Sequence, residues 1–295
     1  MTWPLVLPAV AAIVAGLGAV IVQGRRRPAL GVPVMAGVAT VCAVAVTGVL
    51  ALFSIGFLAQ VQWVADRVGW CRSFSRTHDA VPTWLGISAS VTLVVMAAAV
   101  VRAAARRRRA IARLAGGSSI QLLATTEAVA FAVPGRPGHI VVSQGMLTVL
   151  DEQEQEVLFA HERSHLDRRH HIYLGIGHLA AAAVPFLRPL ATELRFATER
   201  WADEDAAAAV GDRRVVARAI ARAALAANAA VTAGALSLSQ HGVTARVDAL
   251  LAEPPSSTTM EATLAAGLGG LVLAVASSAV QLHHLLAFAA HVCRL

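Results

Sequence analysis

The chain has 295 residues, of which 57% are hydrophobic and only 15% charged, and its mean hydropathy is +0.63. Soluble domains carry about 25% charged residues, which argues against a wholly water-soluble globule; so apolar a chain would not stay solvated as a disordered one either. The net charge of +7 is carried by Arg alone, yet between Gly116 and Met260 there are 12 Arg against 15 Asp and Glu. The positive excess therefore flanks the apolar blocks, as in membrane proteins, and does not point to direct nucleic-acid binding.

Crossing a bilayer takes about 20 mostly apolar residues, and four stretches qualify. The first is uncharged from Thr2 to Gln23 and stops at Arg25-Arg26-Arg27. With no basic residue before it and its Arg cluster after it, it reads as an uncleaved span over residues 3–23 in preference to a signal peptide. The second span, 33–60, lies within the uncharged Pro28–Ala65. The third, 82–102, is followed by the run Arg106–Arg109, and the fourth lies within Ala262–Val292 with Arg294 just beyond. Arg25–Arg27 and Arg102–Arg113 belong on the cytoplasmic side, where the run Arg106–Arg109 also meets anionic lipid headgroups.

This orientation predicts a multi-pass protein of the cell membrane with both termini and the Asp66–Asp79 loop outside. Residues 106–261 form a cytoplasmic domain between membrane regions 1–105 and 262–295. Cys42 falls inside the second span. Cys71 and Cys293 would both face outside, where a disulfide can persist; a bridge between them and two free thiols both stay open.

Within the cytoplasmic block, Ser119–Ala124, Ala128–Val133 and His139–Ser143 read as short strands separated by turn residues. His139, Ile140, Val141, Val142 and Ser143 are candidate substrate contacts, as an edge strand that would align a peptide by β-augmentation. Asp151 with Glu154 three residues on makes a capping box for the helix that follows. That helix carries His161-Glu162-Arg163-Ser164-His165. Positions i and i+4 share a helix face, so His161 and His165 can offer two ring nitrogens to one metal, and Glu162 can take the proton of a water activated there.

His170 and His171, five and six residues past His165, are expected to turn away from that face and meet solvent or the interface. His171–Leu187 is apolar but at the short limit for a span; it reads as a helix packed in the domain or lying at the membrane surface. Further on, Glu199 and Asp203 stand four apart. Glu199 can be a third ligand, which is the usual count for catalytic zinc, and Asp203 can accept from the distal nitrogen of a ligand His. Arg213–Val231 reads as an amphipathic helix packed over the catalytic helices. His241 or an Arg could stabilise an oxyanion, and the choice stays open.

Two apolar spans, an outside loop, a third span, the strands, H-E-x-x-H, E-x-x-x-D and a last span together resemble the BlaR/MecR-type membrane metallopeptidases. HtpX-type peptidases share the two motifs more distantly. Pro137–Leu147 resembles the strand before the family's active helix, and Arg246-Val247-Asp248-Ala249-Leu250-Leu251 resembles a tail motif. The resemblance covers nearly the whole chain.

It implies a mainly α integral membrane protein, with four transmembrane helices and a cytoplasmic α+β, zincin-like metallopeptidase domain. The site it implies is gluzincin-like: one zinc ion held by His161, His165 and Glu199, with Glu162 as base. The implied substrate is a protein or peptide, such as a BlaI-like repressor. HtpX-like quality control and a non-catalytic, zinc-stabilised scaffold are the other readings, and the oligomeric state stays open. Antibiotic-sensing members carry a penicillin-binding domain after the last span, whereas this chain stops at Leu295, so direct β-lactam sensing by that route is not expected. Pro185-Phe186-Leu187-Arg188-Pro189 also stands where the family has a Trp/Asn-Pro run.

Overall fold

A computed structural model describes residues 27–58, 60–61, 63–64, 81–114, 116, 119–229 and 236–252. The predicted spans 3–23 and 262–295, the Asp66–Asp79 loop and both Cys71 and Cys293 lie outside these residues, as does the side chain of His241.

Among the described residues, two helices are long and apolar enough to cross a membrane: α1, Pro28–Leu58, and α2, Thr83–Leu114. They pack side by side, with Gly86 seated against the Phe57 ring where any Cβ would collide and Ser54 Oγ bonded to Ser90 Oγ at 2.7 Å. Away from this seam they present Val44, Val49 and Phe53, and Val91, Val94 and Val95, to the outside. Water would be a poor solvent for such surfaces. α2 runs past the predicted end at 102 because the Ala and Arg that follow are good helix formers. The domain boundary expected at 105 therefore falls inside a helix.

The sheet has three strands: β1, Ile120–Leu123; β2, Ala130–Val133; and β3, His139–Ser143. Its order is β1-β3-β2, with β3 parallel to β1 and antiparallel to β2. The strand positions follow the predicted ones, but β3 is the middle strand and is buried along its whole length. Its backbone pairs on both sides, so His139, Ile140, Val141, Val142 and Ser143 cannot offer an edge to a peptide. The expectation is corrected: the edge near the active helix is β2.

Ser143 caps the short helix α3, Gln144–Val149, and Asp151 caps α4, Glu152–Asp167, in a complete capping box with Glu154. α4 ends where Arg169 turns left-handed (φ 52°). The chain then re-enters as α5, His170–Ala183, which packs against α1, α2 and the next long helix. Arg107 of α2 donates to the His171 carbonyl. Its guanidinium occupies the space beside Gly175 that a side chain there would need. A 3-10 turn over the Pro185–Leu187 stretch leads into α6, Arg188–Val210, with Pro189 in its first turn, where its missing N–H costs nothing. Gly211 closes α6 in a left-handed cap. α7, Arg213–Ala229, and α8, Leu236–Leu251, complete the described chain.

Three buried clusters hold the helices in place, and two of them grip α4. Met35, Leu187 and Leu194 join α1, the turn and α6. Val157, Ala206, Val216 and Leu250 join α4 to α6, α7 and α8. Val142, Met146 and Leu158 join α4 to the sheet and α3. Each large apolar side chain buried this way contributes about 1.5–3 kcal/mol, so α4 is gripped on two faces and has no freedom to rotate its third.

Candidate active site

The third face of α4 carries His161, Glu162 and His165, and α6 runs across it with Glu199 and Asp203. The two imidazoles approach with Nε2 to Nε2 at 3.2 Å. Glu199 completes the group, Oε2 at 3.5 Å from His161 Nε2 and Oε1 at 3.9 Å from His165 Nε2. A tetrahedral ion with bonds of about 2.0–2.1 Å separates neighbouring donors by about 3.3 Å, so these spacings suit one small cation. Among the described residues, these three are the group of His, Cys, Asp and Glu whose ligand atoms lie close enough to share an ion.

The ring nitrogens that face away have partners, and the Nε2 atoms are the ones turned toward each other and toward Glu199. His161 Nδ1 lies 3.0 Å from Oδ1 of the fully buried Asp203. Arg246 of α8 grips that carboxylate with two bonds, Nε to Oδ2 at 2.7 Å and Nη2 to Oδ1 at 2.6 Å. Its Nη1 also stands 3.4 Å from Glu199 Oε2. His165 Nδ1 meets His170 Nδ1 at 3.0 Å. One turn further along, Ser164 Oγ and Arg168 Nε both donate to Asp205 Oδ2, at 2.7 and 2.9 Å, tying the two helices a second time.

His170 was expected to turn away from the active face. Instead it is fully buried beside His165, because helical spacing ends with α4 and the left-handed Arg169 swings α5 back. No Gly or Pro marks that break. Arg246 could be found in the sequence only as part of the tail motif, with no role attached to it.

Glu162 is buried, and its carboxylate accepts a backbone hydrogen bond from Ala132 on β2. A cleft of about 360 Å³ runs along this edge past Phe131, His165, His171 and Arg195. A second, apolar cleft of about 230 Å³ opens beside Glu162 among Met146, Leu150, Leu158 and Ile220. Helix α7 forms its far wall and packs on α4, as its amphipathic pattern leads one to expect. Glu154 anchors that packing: it is fully buried, and it accepts from Arg218 and Arg222 at 3.0 and 2.7 Å.

The electrostatics form one coupled unit. Burial alone would lower the His161 pKa, but the carboxylates of Asp203 and Glu199 outweigh it and push it up to about 10. Burial, together with the charge on His161, pushes His165 down to about 4. Burial and the neighbouring His165 likewise hold His170 down to about 3. Glu199 and Asp203 resist the upward pull of burial: His161 hydrogen-bonded to the first, and Arg246 clamped on the second, keep both below the usual carboxylate range. Burial pushes Glu162 up, with partial relief from His161. A divalent cation bonded to the Nε2 atoms would take the place of the proton on His161, and the donor set of two imidazoles and one carboxylate suits zinc.

The sequence model of peptidase family M48 matches residues 99–258, more than half of the chain and every residue of this site. No curated protein and no solved structure matches.

Proposed function

The chain belongs to peptidase family M48, a family of metallopeptidases, and from that premise we propose that it is a membrane-embedded zinc endopeptidase. His161, His165 and Glu199 hold the ion, and Glu162 is the general base. The observation that carries this reading is the convergence of one carboxylate and two imidazole Nε2 atoms, each ring having its Nδ1 already engaged. Three protein ligands leave one coordination position open, as catalytic sites do and closed structural sites do not.

Bound zinc supplies a Lewis acid that makes a water nucleophilic near neutral pH and polarises a carbonyl. Glu162, adjacent to the first ligand and raised by burial, takes the proton of that water and returns it to the leaving amine. Asp203 steadies the first imidazole and Arg246 steadies Asp203. The outer edge of β2 lies along the larger cleft, where an extended peptide can add as a further strand. The apolar cleft beside Glu162 accommodates a hydrophobic side chain next to the scissile bond.

The exposed apolar faces of α1 and α2 support insertion in a bilayer. The Arg flanks set its direction: termini outside, peptidase inside. The resemblance to BlaR/MecR-type enzymes carries the substrate reading, a cytoplasmic, BlaI-like repressor whose cleavage changes transcription. An HtpX-like role in membrane-protein quality control uses the same site. Full-length protein in detergent, incubated with β-casein and with a purified BlaI-like repressor, tests the activity and then separates the two roles. Glu162→Gln should retain one zinc per chain and lose cleavage by about 10²–10⁴-fold; retained cleavage in that variant sinks the mechanism. Wild type cutting casein but sparing the repressor would favour quality control.

A further inference from the structure

A neutral imidazole carries one N–H, so a histidine can ligate through Nε2 only if its proton sits on Nδ1 and finds an acceptor there. For His161 the acceptor is the Asp203 carboxylate. For His165 the atom in place is Nδ1 of another imidazole, His170, at 3.0 Å. We propose that His170 is a positioning residue for the metal: its Nδ1 accepts from His165 and fixes that ring in the one tautomer able to bind zinc. The inference rests on the zinc reading above and extends it to a residue that touches neither ion nor substrate.

The surroundings of His170 suit this role and little else. The ring is fully buried, edge-on to His165 with centroids 4.9 Å apart and tilted against Trp201 at the same centroid distance. Its Nε2 is buried with no hydrogen-bond partner. An unpaired polar atom in such a place costs free energy that a Phe or Leu filling the same space would avoid. What the imidazole adds in return is an acceptor for His165. If His170 instead donated from Nδ1, His165 would have to carry its proton on Nε2 and would be closed to the ion. Metal binding and the His170 tautomer are therefore linked. The left-handed Arg169 and the bond from Arg107 to the His171 carbonyl hold the first turn of α5 where this contact requires it.

The test uses full-length protein in detergent, chelator-stripped and titrated with Zn2+ against a chromophoric competitor, and separately loaded with Co2+ for its visible spectrum. His170→Phe fills the space without accepting, and His170→Asn replaces the ring nitrogen with an amide oxygen. Such supporting contacts are worth about 10–100-fold in metal affinity. His170→Phe should lose affinity by that factor and shift the Co2+ bands, while its stripped form unfolds no earlier than wild type. His170→Asn should regain most of the loss. Nitrogen-15 histidine spectra of the Zn2+-loaded wild type should show His165 protonated on Nδ1 and His170 on Nε2. Affinity within about twofold of wild type in His170→Phe, or a His170 proton on Nδ1 in the loaded protein, overturns the proposal. A wild type that takes up no zinc would instead sink the reading beneath it.

Discussion

Asp203→Asn removes one charge and almost no volume at the point where four groups are coupled. The Asp203 carboxylate is fully buried, accepts two bonds from Arg246 at 2.6 and 2.7 Å, and stands 3.0 Å from His161 Nδ1. Breaking a buried pair by removing one partner costs about 3–5 kcal/mol, because the other charge stays behind. Here Glu199 Oε2 remains 3.4 Å from Arg246 Nη1 and the amide keeps one acceptor oxygen. The expected loss therefore lies at the lower end, about 3 kcal/mol.

His161 also loses the partner that makes it a strong ligand, so zinc affinity should fall by about 10–100-fold. Chelator competition reads the affinity, and thermal unfolding of the stripped protein reads the stability. The double variant Asp203→Asn/Arg246→Met should unfold later than Asp203→Asn alone, because it removes the stranded guanidinium. Wild-type affinity and stability in Asp203→Asn would refute the coupling.

Zinc uptake should release protons. His161 is raised from its ordinary 6.5 to about 10, so the stripped protein holds that proton through the neutral range and must surrender it to the ion. Titration at pH 8 in buffers of different ionisation enthalpy should give close to one proton per zinc, and none would contradict the assignment. The same shift makes the stripped protein lose stability as pH rises from about 6.5 to about 10, since the native state binds the extra proton across that window; a flat melting profile there would count against it. Ala132→Pro deletes the N–H that bonds Glu162 from a strand edge, where Pro is tolerated. It should leave zinc content unchanged and lower kcat/KM by about 10². A full rate in that variant would remove β2 from the mechanism.

Much of the local structure was legible in the sequence because local rules govern it. The Asp151–Glu154 capping box, the face shared by His161 and His165 and that shared by Glu199 and Asp203 follow from helical spacing alone. The strand positions followed from turn residues on either side. Strand order did not, since nothing in Ile120–Ser143 says which strand lies between the other two, and β3 was mistaken for the edge that β2 provides. His170 was misplaced by extending the period of α4 beyond its end. Arg246 reaches Asp203 from 43 residues away, a distance that no local pattern encodes. The two described apolar helices occupy the predicted second and third spans, whereas the first and last spans lie outside the described residues.

X-ray absorption at the zinc edge of the loaded, full-length protein addresses the convergence of His161, His165 and Glu199 most directly. Two imidazole nitrogens at about 2.0–2.1 Å with oxygen donors at about 2.0–2.2 Å, in a four- or five-coordinate shell, are the expected result. Glu199→Ala should lose one of the oxygen donors. A sulfur scatterer, a shell of oxygens alone, or an unchanged spectrum in Glu199→Ala would contradict the site.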